Sequence, residues 1–391
     1  MPILDKASPS DLPSLARFIQ LAFGVTPESA AEWLDGKLRL ENLRVLRGPD
    51  GPLAGLGRIP MAQFYGGRSV PMLGIAGVAT PPEHRGRGFA KQLMTAVVRE
   101  AAEDGFPLSV LYASTQPLYR SVGYEQAGYR VVSKLPMQTL GVIERDRDVV
   151  SLSDADAGAV HDCYRDFARP FPGMVDRSEY IWDRVRNRRG DRFHGFGIRE
   201  GGQIAGYLYA HMDKPGRDRG DLSISDVAWR TPGAARKLLG LLADFTTMAE
   251  HALISGAPLH PLAMLLPQQR FELAAKEYWF LRVLRIKDAV ERRGYSPGIA
   301  TSMVFDIADD CLPANTGRWK VSVSEGVATC RPDTSSEPAI ACSIAAFAPL
   351  YTGLLTCSQA LGLGFIRAEP AVARSADAIF ACGTPWMVDF F

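Results

Sequence analysis

The stretch 73–125 constrains this chain more than any other part of it. An apolar run of strand length (73–79) leads into a glycine-bearing turn, Arg85-Gly86-Arg87-Gly88-Phe89-Ala90. Beyond the turn, Ala90, Leu93, Met94, Val97, Val98 and Ala101 recur at spacings of three and four, which is one face of a helix. A second apolar run (106–113) follows and ends in Ser114-Thr115. Gly86 and Gly88 carry no Cβ, so a ligand can come close to the backbone there. The first amides of the helix lack intrahelical partners and point outward. Together with the helix dipole, Arg85, Arg87 and Lys91 they form a site for a phosphate, and a pyrophosphate is the natural ligand of such a turn. The competing reading is a plain tight turn on a basic surface.

The next segment, Leu118-Tyr119-Arg120-Ser121-Val122-Gly123-Tyr124, sets a tyrosine on a short helix stopped by Gly123. A dinucleotide loop is the rival for the turn, and it fails because G-x-G-x-x-G is missing. The whole block resembles the GNAT superfamily of N-acetyltransferases. Their acetyl-CoA pyrophosphate loop reads R/Q-x-x-G-x-G/A, and their last helix often reads Y-x-x-x-G-Y/F.

At 391 residues the chain is too long for one ordinary domain, and two or three are expected. A formal net charge of +1 gives no reason to expect nucleic acid or a membrane surface as partner. No apolar run reaches the length of a membrane span. Met1-Pro2-Ile3-Leu4-Asp5 lacks the basic and apolar regions of a secretion signal, so a cytoplasmic protein is expected. Cys163, Cys311, Cys330, Cys342, Cys357 and Cys382 contain no C-x-x-C pair, and no histidine sits near two of them. No metal is expected. Reduced core cysteines are favoured over a disulfide among the five that follow residue 300.

In chain order, 8–24 opens with a cap-like Ser10-Asp11 and reads as a helix, and a second helix carries Trp33. Strands at 43–47 and 53–59 are joined by a turn containing Pro49-Asp50-Gly51, and a second hairpin turns at Gly66-Gly67. An acetyltransferase domain is expected over 1–140. Residues 148–298 repeat the plan weakly. A helix with Val160, Cys163, Tyr164 and Phe167 precedes a hairpin (193–199, 203–211), a strand (222–229) and a helix from Ala235. Strands are then expected at 262–266 and 284–288, with a helix ended by Gly294. The turn 230–235 has one glycine, and Pro232 removes an amide donor. This copy should keep the fold and not bind the cofactor; generic α/β alternation is the other reading. From about 300 the texture changes to short strands (303–307, 318–324, 326–331) and helices (343–352, 357–361, 372–380). Trp386, Phe390 and Phe391 should dock the chain end in an apolar place, and the α-carboxylate goes with it.

Over nearly its full length the chain is similar to the Eis (enhanced intracellular survival) family. The resemblance is carried by HRGRGFAK at 84–91, the LYRSVGY segment, LRIKDAVERRGY at 284–295 and the ending PWMVDFF. It implies an α/β (α+β) fold: tandem GNAT domains, the second degenerate, followed by a sterol-carrier-protein-like domain at 300–391. It also implies a homohexamer. Acetyl-CoA, as cosubstrate, would lie on Val78, Ala79 and Thr80, on Arg85, Gly86, Arg87, Gly88, Phe89, Ala90 and Lys91, and on Ser114 and Thr115. Tyr119 would be the acid, and the C-terminal carboxylate of Phe391 the base.

The chemistry stands beside the resemblance. A phenol titrates near ~10 and a thiol near ~8.5, close enough for Tyr119 to protonate a departing sulfur; the alternative is an aromatic that only packs. An α-carboxyl near ~3.5 is a poor base toward a free ammonium. Burial would raise it, and the amine proton becomes far more acidic once nitrogen has attacked. A tail that merely anchors a domain is the alternative. With no cysteine in the block to carry an acetyl group, direct attack in a ternary complex is implied. The acceptor is the primary amine of an aminoglycoside, a polyamine or a lysine side chain. Phe18, Phe23 and Trp33 either line an apolar pocket or belong to the core. Family members that take aminoglycosides use acidic pocket residues, whereas here Val25 stands near the corresponding helix turn, with Glu28 further on and only Asp389 near the C-terminus, a departure that weighs against aminoglycosides without excluding them. The rival function is an acetyl-CoA-sensing or lipid-binding protein without turnover.

Overall fold

The turns at Pro49-Asp50-Gly51 and Gly66-Gly67 form as hairpins, and a sheet grows from them. The structure, a computed structural model, describes residues 2–140, 148–188, 190–213 and 219–391. The chain divides into two units. The first holds Met1–Ala127, Trp279–Gly383 and Phe391; the second holds Gly128–Tyr278 and Thr384–Phe390.

In the first unit come β1 (Ile3–Lys6), α1 (Leu12–Phe23), α2 (Pro27–Ala31), β2 (Leu43–Gly48), β3 (Gly51–Tyr65), β4 (Arg68–Ala79), α3 (Phe89–Glu103), β5 (Leu108–Tyr112) and α4 (Gln116–Arg120). The strands lie side by side in chain order. Pairs are antiparallel except β4 with β5, which run parallel because α3 crosses between them. Successive side chains of a strand take opposite faces. Leu56, Leu73, Ile75 and Leu111 pack with Leu93, Met94 and Val97 of α3 in one core. On the other face Gly55 and Gly57 make room: a Cβ would lie 2.2 Å from Leu15 of α1 and 2.4 Å from Leu38, respectively.

The second unit follows the same plan with β6 (Glu125–Pro136), β7 (Val149–Ser151), α5 (Ala157–Ala168), α6 (Glu179–Arg186), β8 (His194–Glu200), β9 (Gln203–Asp213), β10 (Gly220–Trp229), α7 (Pro232–Ala243), β11 (Ala249–Gly256) and β12 (Glu272–Val283). Here β10 and β11 are the parallel pair around the crossover helix α7. The last strand of each sheet comes from the segment that follows the other repeat. Trp279–Val283 of β12 pair with β5 in the first unit, and 131–136 of β6 pair with β11 in the second.

Two expected strands are not strands. Residues Pro261–Leu265 form a 3₁₀ turn, begun by His260, whose ring nitrogen accepts from the Leu262 amide at 3.2 Å, and by a proline at the first position. The strand of that region is β11. At 284–288 the chain has already left β12 and entered α8 (Ile286–Arg292), whose first amide is taken by Asn315 at 3.2 Å.

The first unit resumes with α8 and a five-stranded sheet, ordered β15 (Val327–Pro332), β14 (Gly317–Ser324), β13 (Thr301–Ala308), β16 (Ala339–Ser343) and the short pair Ile366–Arg367. Helices α9 (Ile344–Thr352), α10 (Cys357–Gly362) and α11 (Pro370–Ala376) cover it. Its interior is filled by rings: Phe305, Phe347 and Phe380 lie with centroids 5.4–5.8 Å apart. Arg293 is buried among Tyr65, Tyr295, Tyr351 and Phe380. All six cysteines are free thiols. Among the described residues no helix is long and apolar enough to cross a membrane.

Candidate active site

The site begins where β4 leaves β5. Their parallel pairing runs from Met72–Leu108 to Ile75–Leu111 and stops. Just beyond, the β3–β4 register slips: Gly57 pairs with Ala76 and Gly55 with Ala79, so Gly77 and Val78 together oppose Leu56. This is a bulge on β4, and Gly77 sits at φ +61°, where a side chain is strained. A Cβ there would lie 2.3 Å from the Trp33 ring and 3.0 Å from Ile19. The bulge sets where Val78 and Ala79 sit as β4 runs out into Thr80 and the turn. Sequence reasoning passed over Gly77, although a lone glycine inside a strand pattern is a bulge signal.

The turn that follows is open. Arg85, Gly86, Arg87, Gly88 and Lys91 are exposed. Gly86 and Gly88 have φ near +75°, and a Cβ on either would meet nothing within 4 Å. Gly88 is the N-cap of α3, so no side chain caps that helix, and its first turn holds no acid. Arg85 Nε donates to the Thr80 carbonyl at 3.2 Å and braces the turn. Ala90 is half-buried. Phe89 faces inward, buried with Leu93 in the core, under the Arg87 guanidinium. Only its backbone can face a ligand. Free amides, open glycines and three cations are what a pyrophosphate requires.

Ser114 and Thr115 are exposed at the end of β5. Tyr119 of α4 is only 4% exposed and packs with Leu73, Ile75 and Leu111, on the α3 face of the sheet. Burial pushes its phenol above the ordinary tyrosine value, and a hydrogen bond with Ser114 works the other way. Tyr124 stands beside it, locked through Ser109 (2.7 Å) to the Leu73 carbonyl (2.9 Å).

Phe391 belongs to the same unit. Its ring meets Tyr112 edge-on at 5.7 Å and lies 3.0 Å from the position a Cβ on Gly74 would take. Gly74 and Tyr112 alternate with Leu73, Ile75 and Leu111, so Phe391 is on the opposite face from Tyr119. The acid candidate and the chain's last residue thus flank the point where two strands part. The acceptor candidates separate: Phe18 is core at 4% exposure, Phe23 is 52% exposed, and Trp33 is half-buried on the bulge.

In the second unit the turn before α7 is closed. Thr231 caps the helix by accepting from the Ala234 amide at 3.0 Å, and the Glu200 carboxylate takes the Thr231 hydroxyl at 2.8 Å and pairs with Lys237 at 3.1 Å. Asp389 is no pocket acid either. It is buried in the second unit and held by Arg177. Among the described residues no cluster of three or more His, Cys, Asp or Glu could hold a metal.

A duplicated fold with a crossover helix at an open phosphate turn, followed by a small aromatic-cored domain, defines the class: a GNAT-type N-acetyltransferase. Two profiles described as acetyltransferase (GNAT) domain match residues 4–127 and 173–286, and one described as sterol carrier protein domain matches 286–388. A GCN5-related N-acetyltransferase from Anabaena variabilis superposes at a TM-score of 0.95 with 29% identity, covering all of both chains. An uncharacterized N-acetyltransferase of Streptomyces griseus is 28% identical over 83% of each chain. The N-acetyltransferase Eis of Mycobacterium tuberculosis is 24% identical over 94% of this chain and 93% of its own. The chain belongs to the Eis family of GNAT N-acetyltransferases.

Proposed function

We propose that the chain transfers acetyl from acetyl-CoA to a primary amine by direct attack in a ternary complex. The observation that carries this is the parting of β4 and β5 after Ile75 and Leu111, with Tyr119 on one face and Phe391 on the other. The turn amides and Arg85, Arg87 and Lys91 hold the pyrophosphate, and residues 78–80 with Ser114 and Thr115 line the arm leading inward. The amine nitrogen bonds to the thioester carbonyl carbon, and the carbon–sulfur bond breaks. Tyr119 gives its proton to the sulfur, and the Phe391 carboxylate receives the proton that nitrogen sheds. The raised phenol keeps Tyr119 protonated through neutral pH, as an acid must be. The acceptor is the amine of an aminoglycoside, a polyamine or a lysine side chain.

We further propose domains at 1–140, 148–298 and 300–391, and a cytoplasmic homohexamer; the six free thiols fit a reducing compartment. The ring-filled interior of the C-terminal domain favours turnover over lipid carriage. The test is Tyr119→Phe. Turnover should fall by about 10²–10⁴-fold, the usual share of one positioned acid, with the KM for acetyl-CoA within about twofold. Unchanged turnover would remove Tyr119 from the reaction, and thiol release with no amine on a broad panel would end the transferase reading.

A further inference from the structure

Chain ends fray unless something ties them down, and this one is tied residue by residue. Within the second unit the Trp386 amide donates to the Pro172 carbonyl at 3.0 Å, and the Met387 amide to the Tyr129 carbonyl at 3.1 Å. Trp386, Met387 and Val388 are buried, 3% exposed or less. That apolar plug would suffice to anchor a tail. Three arginines nevertheless grip the three residues at and beyond its end. Arg130 Nε donates to the Val388 carbonyl at 2.9 Å. Arg177 takes the Asp389 carboxylate at 3.0 Å while its other edge pairs with Asp226 at 2.5 and 2.9 Å. Arg184 Nε donates to the Phe390 carbonyl at 2.9 Å. Arg177 is itself enclosed, its guanidinium 3.6 Å from the Tyr164 ring centroid.

We infer that Arg130, Arg177 and Arg184 are positioning residues for the terminal carboxylate. They fix Val388, Asp389 and Phe390 in turn, so a single peptide bond separates residue 391 from a held carbonyl. This rests on the reading of Phe391 as base. Consecutive α-carbons are ~3.8 Å apart, so once the Phe390 carbonyl is held, only the torsions of the last residue move the carboxylate. A guanidinium suits the task because its planar fork fixes direction as well as distance.

The experiment compares the full chain, Arg184→Gln, Arg184→Lys and a chain lengthened by one glycine after Phe391, all with free C-termini. Arg184 is only half-buried, so its variants should fold where changes at Arg177 would not; melting temperature checks this. Expected are a lengthened chain without turnover, a kcat at least tenfold lower for Arg184→Gln with the KM for acetyl-CoA within twofold, and partial recovery in Arg184→Lys. If the lengthened chain is inactive but Arg184→Gln keeps its kcat, the clamp is refuted and the base stands. The clamp also fails if KM and melting temperature shift in step with kcat. If the lengthened chain turns over normally, the base is refuted and the inference goes with it.

Discussion

Gly77→Ala should be costly, and most of the cost should sit in one contact. Two effects add. Placing an L-residue in the left-handed region costs roughly 1–2 kcal/mol, and Gly77 is at φ +61°. The new methyl would lie 2.3 and 2.8 Å from two carbons of the Trp33 ring, and forcing an atom into packed surroundings costs about 1–3 kcal/mol. The sum is about 2–5 kcal/mol. In a Trp33→Ala background the ring is gone and only the backbone part remains, so the same substitution should cost about 1–2 kcal/mol. A double-mutant cycle, read from urea unfolding followed by circular dichroism, should therefore show a coupling of about 1–3 kcal/mol. The single variant should also raise the KM for acetyl-CoA, because the bulge sets where Val78 and Ala79 sit. Equal cost in both backgrounds would refute the assignment of strain to the ring. A cost below about 0.5 kcal/mol would refute the bulge argument as a whole.

Two further outcomes follow from buried contacts elsewhere in the protein. Burial pushes His260 down to about 4 from its ordinary 6.5, so above pH 6.5 it is neutral in both states and contributes nothing. As pH falls from 6.5 to 4 the unfolded chain takes the proton and the folded one refuses it, so stability should drop by about 3 kcal/mol in all; in His260→Asn, which keeps an acceptor for the Leu262 amide, unfolding at pH 7 and 5 should differ less. Gly74→Ala would bring a methyl 2.3 Å from the flexible end of Met61 and 3.0 Å from the Phe391 ring. It should lower kcat roughly tenfold through displacement of the chain end, with little change in melting temperature, and an unaltered kcat would separate Phe391 from the reaction.

Local signals carried far into this fold. The turn glycines, the α3 stripe and the Asp50-Gly51 and Gly66-Gly67 hairpins are short-range patterns, and each formed where its residues stood. Tyr119 and Phe391 were legible as candidates because a motif and a chain end mark themselves. What failed depended on distant partners. Nothing in 279–283 says that it completes a sheet begun by β1, and 262–266 is as apolar as a strand until His260 and Pro261 turn it. The arginines left no trace either: Arg130, Arg177 and Arg184 look like ordinary surface cations until Val388, Asp389 and Phe390 arrive from more than 200 residues downstream. Asp389 misled for the same reason, since a carboxylate near a chain end reads as available until its partner is found.

The two repeats differ most in how they finish a helix. A side-chain cap contributes about 1 kcal/mol, and α7 takes it from Thr231, with Glu200 set against its first turn: a Cβ on Gly233 would lie 3.0 Å from that carboxylate. A phosphate arriving there would meet a like charge already in place, and Pro232 has withdrawn one of the amides it would need. Helix α3 forgoes both stabilising devices. Its cap is a glycine with no side chain to offer, no acid stands in its first turn, and Arg85, Arg87 and Lys91 surround the opening instead. Left alone, that end is the less stable arrangement. On the proposed reading an anion supplies there what Thr231 and Glu200 supply in the other copy, so one repeat is built to bind and the other to pack.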